Sequence, residues 1–110
     1  MGQIVLYEGN GCSQDIVRTY GDEAGQNKKV KPNDEARSVK LLAVRKGAVI
    51  TVFDSPDGKM DDDFCVIRVK RYTNDYCVGT FERSYEDEYV SVSFARKNGL
   101  DGKVSRIRID

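Results

Sequence analysis

Residues 33–41 read NDEARSVKL and residues 100–109 read LDGKVSRIRI, so the chain carries one pattern twice. In each copy an Asp precedes a Ser by four residues, and an apolar-rich segment follows. The matched residues are Asp34 with Asp101 and Ser38 with Ser105. Alternating apolar and polar residues in the segments that follow are typical of β-strands. The pattern therefore predicts a duplicated β unit.

A second repeat precedes each copy. Residues 4–11 read IVLYEGNG and residues 49–58 read VITVFDSPDG, so each is a short apolar strand that ends in an aromatic residue and an acid. The matched residues are Tyr7 with Phe53 and Glu8 with Asp54. We therefore predict a single domain over residues 1–110. Its first motif covers about residues 3–44, and its second covers about residues 48–110 with an insertion near residues 70–89.

Period-two alternation and turn signals divide the chain into about eight strands. They are residues 4–8, 15–20, 38–44, 48–53, 64–70, 76–82, 88–94 and 104–109. Residues 21–31 are polar and indicate a loop or long arch, while residues 33–42 or 82–88 are the places where a short helical turn could form. The predicted fold class is all-β, an antiparallel β-sandwich of two Greek-key motifs.

Composition argues against several classes of partner. Lysines and arginines number 18 and acidic residues number 18, so the chain lacks the basic excess of a protein that binds nucleic acid by neutralising phosphates. No apolar run approaches the roughly 18 residues of a membrane-spanning helix. The first residues lack the charged and apolar regions of a signal peptide. We therefore expect no nucleic-acid or membrane partner and a cytoplasmic location.

The side chains that usually carry enzyme chemistry are scarce. The chain has no His and three cysteines, Cys12, Cys65 and Cys77, without a CxxC pair. A structural zinc site is therefore disfavoured, and a catalytic Cys would lack its usual general base. No phosphate-binding loop or nucleophile elbow is present. We expect a non-enzymatic protein with three reduced thiols in or near its core.

The repeated units resemble the βγ-crystallin double Greek key of microbial type. The similarity lies in a strand that ends in an aromatic residue and an acid, a Gly-rich turn, and later a loop of the form N/D-N/D-x-x-S/T-S before a strand. The resemblance implies calcium bound between paired loops by a backbone carbonyl from the third loop position, a hydroxyl from the fifth, and a carbonyl that comes across from the acid after the aromatic residue of the other motif. The candidate ligands that it implies are Glu8, Asn33, Asp34, Glu35, Asp54, Asp101 and Gly102.

The loops depart from the family pattern at the fifth position. Arg37 stands there in the first loop and Val104 in the second, and neither side chain can ligate calcium. Leu100 also replaces Asn or Asp at the start of the second loop. Both sites are therefore degenerate. We expect a structural protein that binds calcium weakly, or a sandwich that holds its loops without metal, with the Arg37 guanidinium turned away or standing in for the ion.

The acidic run at residues 61–63 allows two interpretations. Three carboxylates could hold a cation, but consecutive strand residues point to opposite faces, so one compact site needs a turn. A solvated hairpin tip that discourages edge-to-edge pairing of strands is the favoured interpretation.

The alternative function is a sandwich that binds a protein or a small ligand through residues 70–89, without metal. This segment is rich in aromatic residues, of which alternation assigns about half to the core. Tyr85 and Tyr89, in the sequence SYEDEY, are the candidate binding residues, because Tyr is enriched at interfaces.

Overall fold

The computed structural model describes residues 2–31, 35–60, 62–96, 99–100 and 103–110. The strands of the first half are β1 (Gln3–Gly9), β2 (Ser13–Gly21), β3 (Gln26–Lys29) and β4 (Ser38–Val44). Those of the second half are β5 (Val49–Phe53), β6 (Phe64–Val69), β7 (Thr73–Val78), β8 (Tyr85–Glu86), β9 (Val90–Ala95) and β10 (Arg106–Ile109). Within the described ranges there are ten strands and no helix, which confirms the all-β class.

The strands form two antiparallel sheets that pack as a sandwich. The first sheet has the order β2-β1-β4-β7, and the second has the order β3-β10-β5-β6-β9-β8. In each half the fourth strand of the motif returns beside the first, β4 beside β1 and β10 beside β5. This is the connectivity of a Greek key. It occurs twice, as the sequence repeat predicts.

Each motif contributes its third strand to the sheet of the other motif. Strand β3 leaves the first sheet and pairs with β10, while β7 leaves the second sheet and pairs with β4. Neither sheet could therefore reach its full width from one motif alone. The two halves of the chain form one structural unit.

The core lies between the sheets, and in β6 and β10 it follows the alternation of apolar and polar residues. Ile50 and Val52 on β5, together with Ile107 and Ile109 on β10, have no exposed surface. Their polar neighbours Arg106 and Arg108 point to the other face and are partly exposed. Burying alternate apolar residues on two facing sheets is the main source of stability in such a sandwich.

Turn residues behave as the sequence indicates. Gly47, in the connection between β4 and β5, has φ of 91°, a conformation that glycine adopts readily. In the turn SPDG, the Gly58 amide donates to the Ser55 carbonyl at 3.1 Å, and Gly58 has φ of 74°. Both turns are therefore confirmed.

Three local predictions are wrong. Residues 21–31 contain strand β3, because an edge strand needs only backbone pairing and its side chains can stay exposed. The helical turn considered at residues 82–88 is absent, since β8 pairs there with β9, and the one at residues 33–42 gives way to β4 from Ser38 onward. In the sheet topology β7 is the counterpart of β3, and β8 and β9 are the strands of the second half that have no counterpart in the first.

The expectation of three reduced thiols is also wrong. Cys12 and Cys77 form a disulfide, with their Cα atoms 6.1 Å apart. The exchange of third strands brings Cys77 on β7 beside the β1–β2 turn, where the Gly11 amide also donates to the Gly79 carbonyl at 2.8 Å. Cys65 remains a free thiol in the core, and burial raises its pKa to about 12. The bridge therefore joins the two motifs covalently.

None of the described residues forms a helix that is long and apolar enough to span a bilayer.

Candidate cation site

The two loops that precede β4 and β10 are equivalent, but their alignment differs by one residue from the sequence match. The Arg37 amide donates to the Tyr7 carbonyl at 2.8 Å, and the Ser105 amide donates to the Phe53 carbonyl at 2.8 Å. Tyr7 and Phe53 hold the same place in their motifs. Arg37 is therefore the counterpart of Ser105.

Strand register and burial give the same alignment. Tyr7 pairs with Ser38, whereas Phe53 pairs with Arg106. Ala36 and Val104, the residues before Arg37 and Ser105, are both fully buried. The match of Ser38 with Ser105 is therefore wrong, because it aligns the loops on Asp34 and Asp101 and not on the strand pairing.

The corrected alignment changes the assessment of the second loop. Its fifth position is Ser105, which carries a hydroxyl oxygen, and not the buried Val104. Its first position is Asp101 in place of Leu100, and its third is Lys103 in place of Gly102. The Ser105 hydroxyl donates to the Lys103 carbonyl at 3.4 Å. The hydroxyl of the fifth position and the carbonyl of the third position are therefore neighbours. The shift restores a hydroxyl at the fifth position, but it also places Gly102 at the second position and Arg106 at the sixth, where the family pattern has Asn or Asp and Ser.

The first loop is occupied by a side chain of the protein. Arg37 Nη1 donates to the Glu8 carbonyl at 3.0 Å. The resemblance assigns this carbonyl to an ion held by the loop of the other motif. A guanidinium at this position places a permanent positive charge where a cation would otherwise bind. That Arg37 stands in for an ion in the first loop stays a prediction.

Three carboxylates come together beside the second loop. Asp54, Asp62 and Asp63 each offer an oxygen, and these oxygens lie within 4.8 Å of one another. Asp54 follows β5, and its amide donates to the Asp63 carbonyl at 2.9 Å. Carboxylate oxygens are the ligands that calcium prefers, among about six to eight in all. Among the described residues this is the one group of at least three such side chains that could hold a metal.

Two of these acids are less exposed to solvent than the hairpin tip that the sequence favours would make them. Asp63 is fully buried, and Asp62 is half-buried. One Asp63 oxygen accepts a hydrogen bond from the Gly99 amide at 2.8 Å, and one Asp62 oxygen accepts from the Asp63 amide at 2.9 Å. A turn before β6 directs Asp63 inward, because the chain there is not an extended strand. That interpretation is therefore wrong for Asp63.

Like Asp63, Glu82 fixes the backbone beside the three carboxylates. Glu82 accepts a hydrogen bond from the Leu100 amide at 2.6 Å. The sequence does not indicate this role, because Glu82 and Leu100 are 18 residues apart and meet only in the folded chain. Together, Asp63 and Glu82 hold the backbone that leads into the second loop.

Several predicted ligands lie outside the described residues. They are Asn33, Asp34, Asp61, Asp101 and Gly102. Their roles stay predictions. Glu8 and Glu35 are described and half-buried, on either side of Arg37 in the first motif.

Ser38 supports the turn and does not face an ion. Its hydroxyl donates to the Gly9 carbonyl at 2.6 Å and accepts from the Cys12 amide at 2.9 Å. The Ser38 side chain therefore satisfies two backbone groups of the β1–β2 connection.

The aromatic residues of the other candidate site divide between two environments. Phe81 is fully buried, whereas Tyr72 and Tyr89 are 55% and 38% exposed. Tyr85 is half-buried, and its hydroxyl lies 2.8 Å from that of Tyr76. Of the two predicted binding residues, Tyr89 borders an open cleft and Tyr85 does not.

No protein-family model, curated protein or solved structure matches this chain.

Proposed function

We propose that this protein is a non-enzymatic structural protein similar to the βγ-crystallins, with one weak calcium site in its second motif and none in its first. The observation that carries the proposal is the difference between two equivalent positions. In the first motif, Arg37 binds a backbone carbonyl. In the second motif, the equivalent residue is Ser105, and three carboxylates of that motif converge. The double Greek-key connectivity with exchanged third strands supports the resemblance.

Electrostatics favour a divalent ion at the second motif. Three carboxylates at close range repel one another, and a cation between them would relieve that repulsion. Hydrogen bonds from the Gly99 and Asp63 amides hold two of the carboxylates in place before any ion binds. Such a site suits the affinity of extracellular calcium-binding domains, with Kd of about 10⁻⁴ to 10⁻³ M.

The disulfide bears on where the protein works. Disulfides persist mainly in oxidising compartments and are rare in the cytosol. We therefore propose an oxidising environment in place of the cytoplasmic location expected from the sequence. Calcium at millimolar concentration, as found outside cells, would also fill a weak site.

Calcium is expected to stabilise the protein. At about ten times its Kd, one bound ion adds about 1.4 kcal/mol to the free energy of unfolding, which raises Tm by roughly 5–10 °C. The measurement is a thermal melt of chelator-treated protein with calcium, and with magnesium for comparison. Asp62→Asn should abolish the shift, whereas Asp57→Asn, an exposed acid on the same β5–β6 connection, should keep it. Equal shifts in both variants would contradict the site.

Replacing Arg37 by Ser is expected to open a second calcium site. The change frees the Glu8 carbonyl and restores a hydroxyl at the position held by Ser105 in the other loop. Without calcium the variant should be less stable by about 1 kcal/mol, because a hydrogen bond is lost. Calorimetric titration should report two ions per chain. Arg18→Ser, an exposed residue on β2, is the control and should leave the stoichiometry unchanged.

A further inference from the structure

An open cleft of about 350 Å³ lies between the start of β7 and the residue that precedes β9. Its lining consists of Tyr72, Thr73, Asn74, Asp75, Tyr76 and Tyr89. Half of these residues are tyrosines. The volume is at the lower end of the range for small-ligand sites. The cleft is separate from the cation site, since it shares no residue with Asp54, Asp62 or Asp63.

The rings form adjoining walls. The Tyr76 and Tyr89 ring centroids are 5.8 Å apart, and the ring planes meet at 45°. Tyr72 is 55% exposed, so a third ring is available at the rim. Each ring has an electron-rich face that attracts a cation within about 6 Å of its centroid. The walls therefore offer a surface for a positively charged, weakly hydrated group.

Asp87 holds two of these walls in place. One of its oxygens accepts hydrogen bonds from the backbone amides of Tyr89 at 2.8 Å and Val90 at 2.9 Å. Its other oxygen accepts from the Tyr76 hydroxyl at 2.5 Å. Burial, together with these bonds, raises the pKa of Tyr76, so the phenol stays neutral and keeps donating to Asp87. These bonds hold the Tyr76 ring and the Tyr89 backbone in place without a ligand, which lowers the cost of binding.

The charges around the cleft favour a cation. Among the described residues that line the cleft, Asp75 is exposed and is the one acid, and none is Lys or Arg. The basic side chains next in sequence pair with acids instead. Lys70 contacts Glu86 at 2.6 Å, and Arg71 contacts Glu88 at 3.2 Å. A cationic ligand in the cleft would therefore lie among three tyrosines and one acid, with no Lys or Arg among the described residues of the lining.

We propose that this cleft binds a quaternary ammonium group of the kind found in choline. Such a group is too weakly hydrated to favour water strongly, and it fits against several aromatic faces at once. Asp75 supplies the opposite charge, and the exposed Asn74, next to it in sequence, offers an amide for the polar end of the ligand. The proposal does not depend on calcium.

The test compares choline with 3,3-dimethylbutan-1-ol, which has the same shape without the charge. The chelator-treated protein is titrated with each compound, and the tyrosine ring signals are followed by NMR. Choline should bind with millimolar affinity, at least about tenfold tighter than the neutral compound, because only the charged group gains the cation–π attraction. Repeating the titration with calcium present should give the same affinity.

Two variants locate the binding. Tyr89→Ala and Asp75→Asn should each weaken choline binding by about fivefold or more. Asp57→Asn, with the same loss of charge on the distant β5–β6 connection, should leave it unchanged. Because Tyr89 and Asp75 are exposed, both variants should fold, and an unchanged Tm would verify this. Equal affinity for the two compounds, binding of neither at high millimolar concentration, or binding of methyl glucoside in preference to choline would overturn the proposal.

Discussion

Replacing Cys12 and Cys77 together by Ser is expected to lower the free energy of unfolding by about 4 kcal/mol. The bridge spans 65 residues, so it removes many conformations from the unfolded chain. It also fastens β7, an edge strand held by pairing with β4 alone, to the β1–β2 turn of the other motif. A loss of this size is a large fraction of the roughly 5–15 kcal/mol that stabilises a domain.

Urea unfolding of the oxidised parent and of the double variant measures this difference. Adding a reductant should destabilise the parent to a similar extent and leave the variant unaffected. Thiol labelling supplies an independent check. The native parent should show no reactive thiol, because Cys65 is buried and its pKa is raised to about 12, and unfolding without reductant should expose one. Equal stability of parent and variant would contradict the role given to the bridge.

Phe81→Ala is expected to destabilise the protein by about 3–5 kcal/mol. Phe81 follows β7 and has no exposed surface, and it packs with residues from both sheets. Removing its ring would leave a cavity that the neighbouring strands can fill only in part. The result would show that residues 70–89 belong to the core of the sandwich and are not an appendage.

The matched control for this prediction comes from the same segment. Tyr72→Ala removes a ring of similar size from a residue that is 55% exposed. Its effect should stay within about 0.5 kcal/mol, as for most surface substitutions. Urea unfolding of both variants gives the comparison. If Phe81→Ala cost no more than Tyr72→Ala, the segment would not be part of the core.

The architecture could be predicted because it depends on patterns that are local in sequence. Alternation in β5, β6 and β10 assigns inward and outward faces, and the aromatic-acid pairs at Tyr7 and Phe53 mark the start of each motif. Strand β3 was missed because its residues, QNKK, carry no apolar alternation. Its pairing with β10 is set by the other half of the chain, which no local pattern reports.

The candidate sites were less predictable, for reasons of register and long-range contact. A count from Asp101 shifted the second loop by one residue, so Val104 was placed where Ser105 lies. The strand pairing of Phe53 with Arg106 corrects this.

Contacts between distant segments could not be predicted from local patterns. The disulfide depends on the exchange of third strands, which brings Cys77 to Cys12. The bond from Arg37 to the Glu8 carbonyl depends on a side-chain direction that the sequence leaves open. The cleft also depends on such a contact, because Asp87 joins Tyr76 on β7 to Tyr89 before β9.

The most direct test of the account is a calorimetric titration of the oxidised, chelator-treated protein with calcium. The central claim is that the two motifs share one fold but differ in cation binding, because Arg37 takes the position that Ser105 holds in the other loop. We predict one calcium ion per chain. Two ions would show that Arg37 does not close the first motif, and no binding at millimolar calcium would show that Asp54, Asp62 and Asp63 do not form a calcium site.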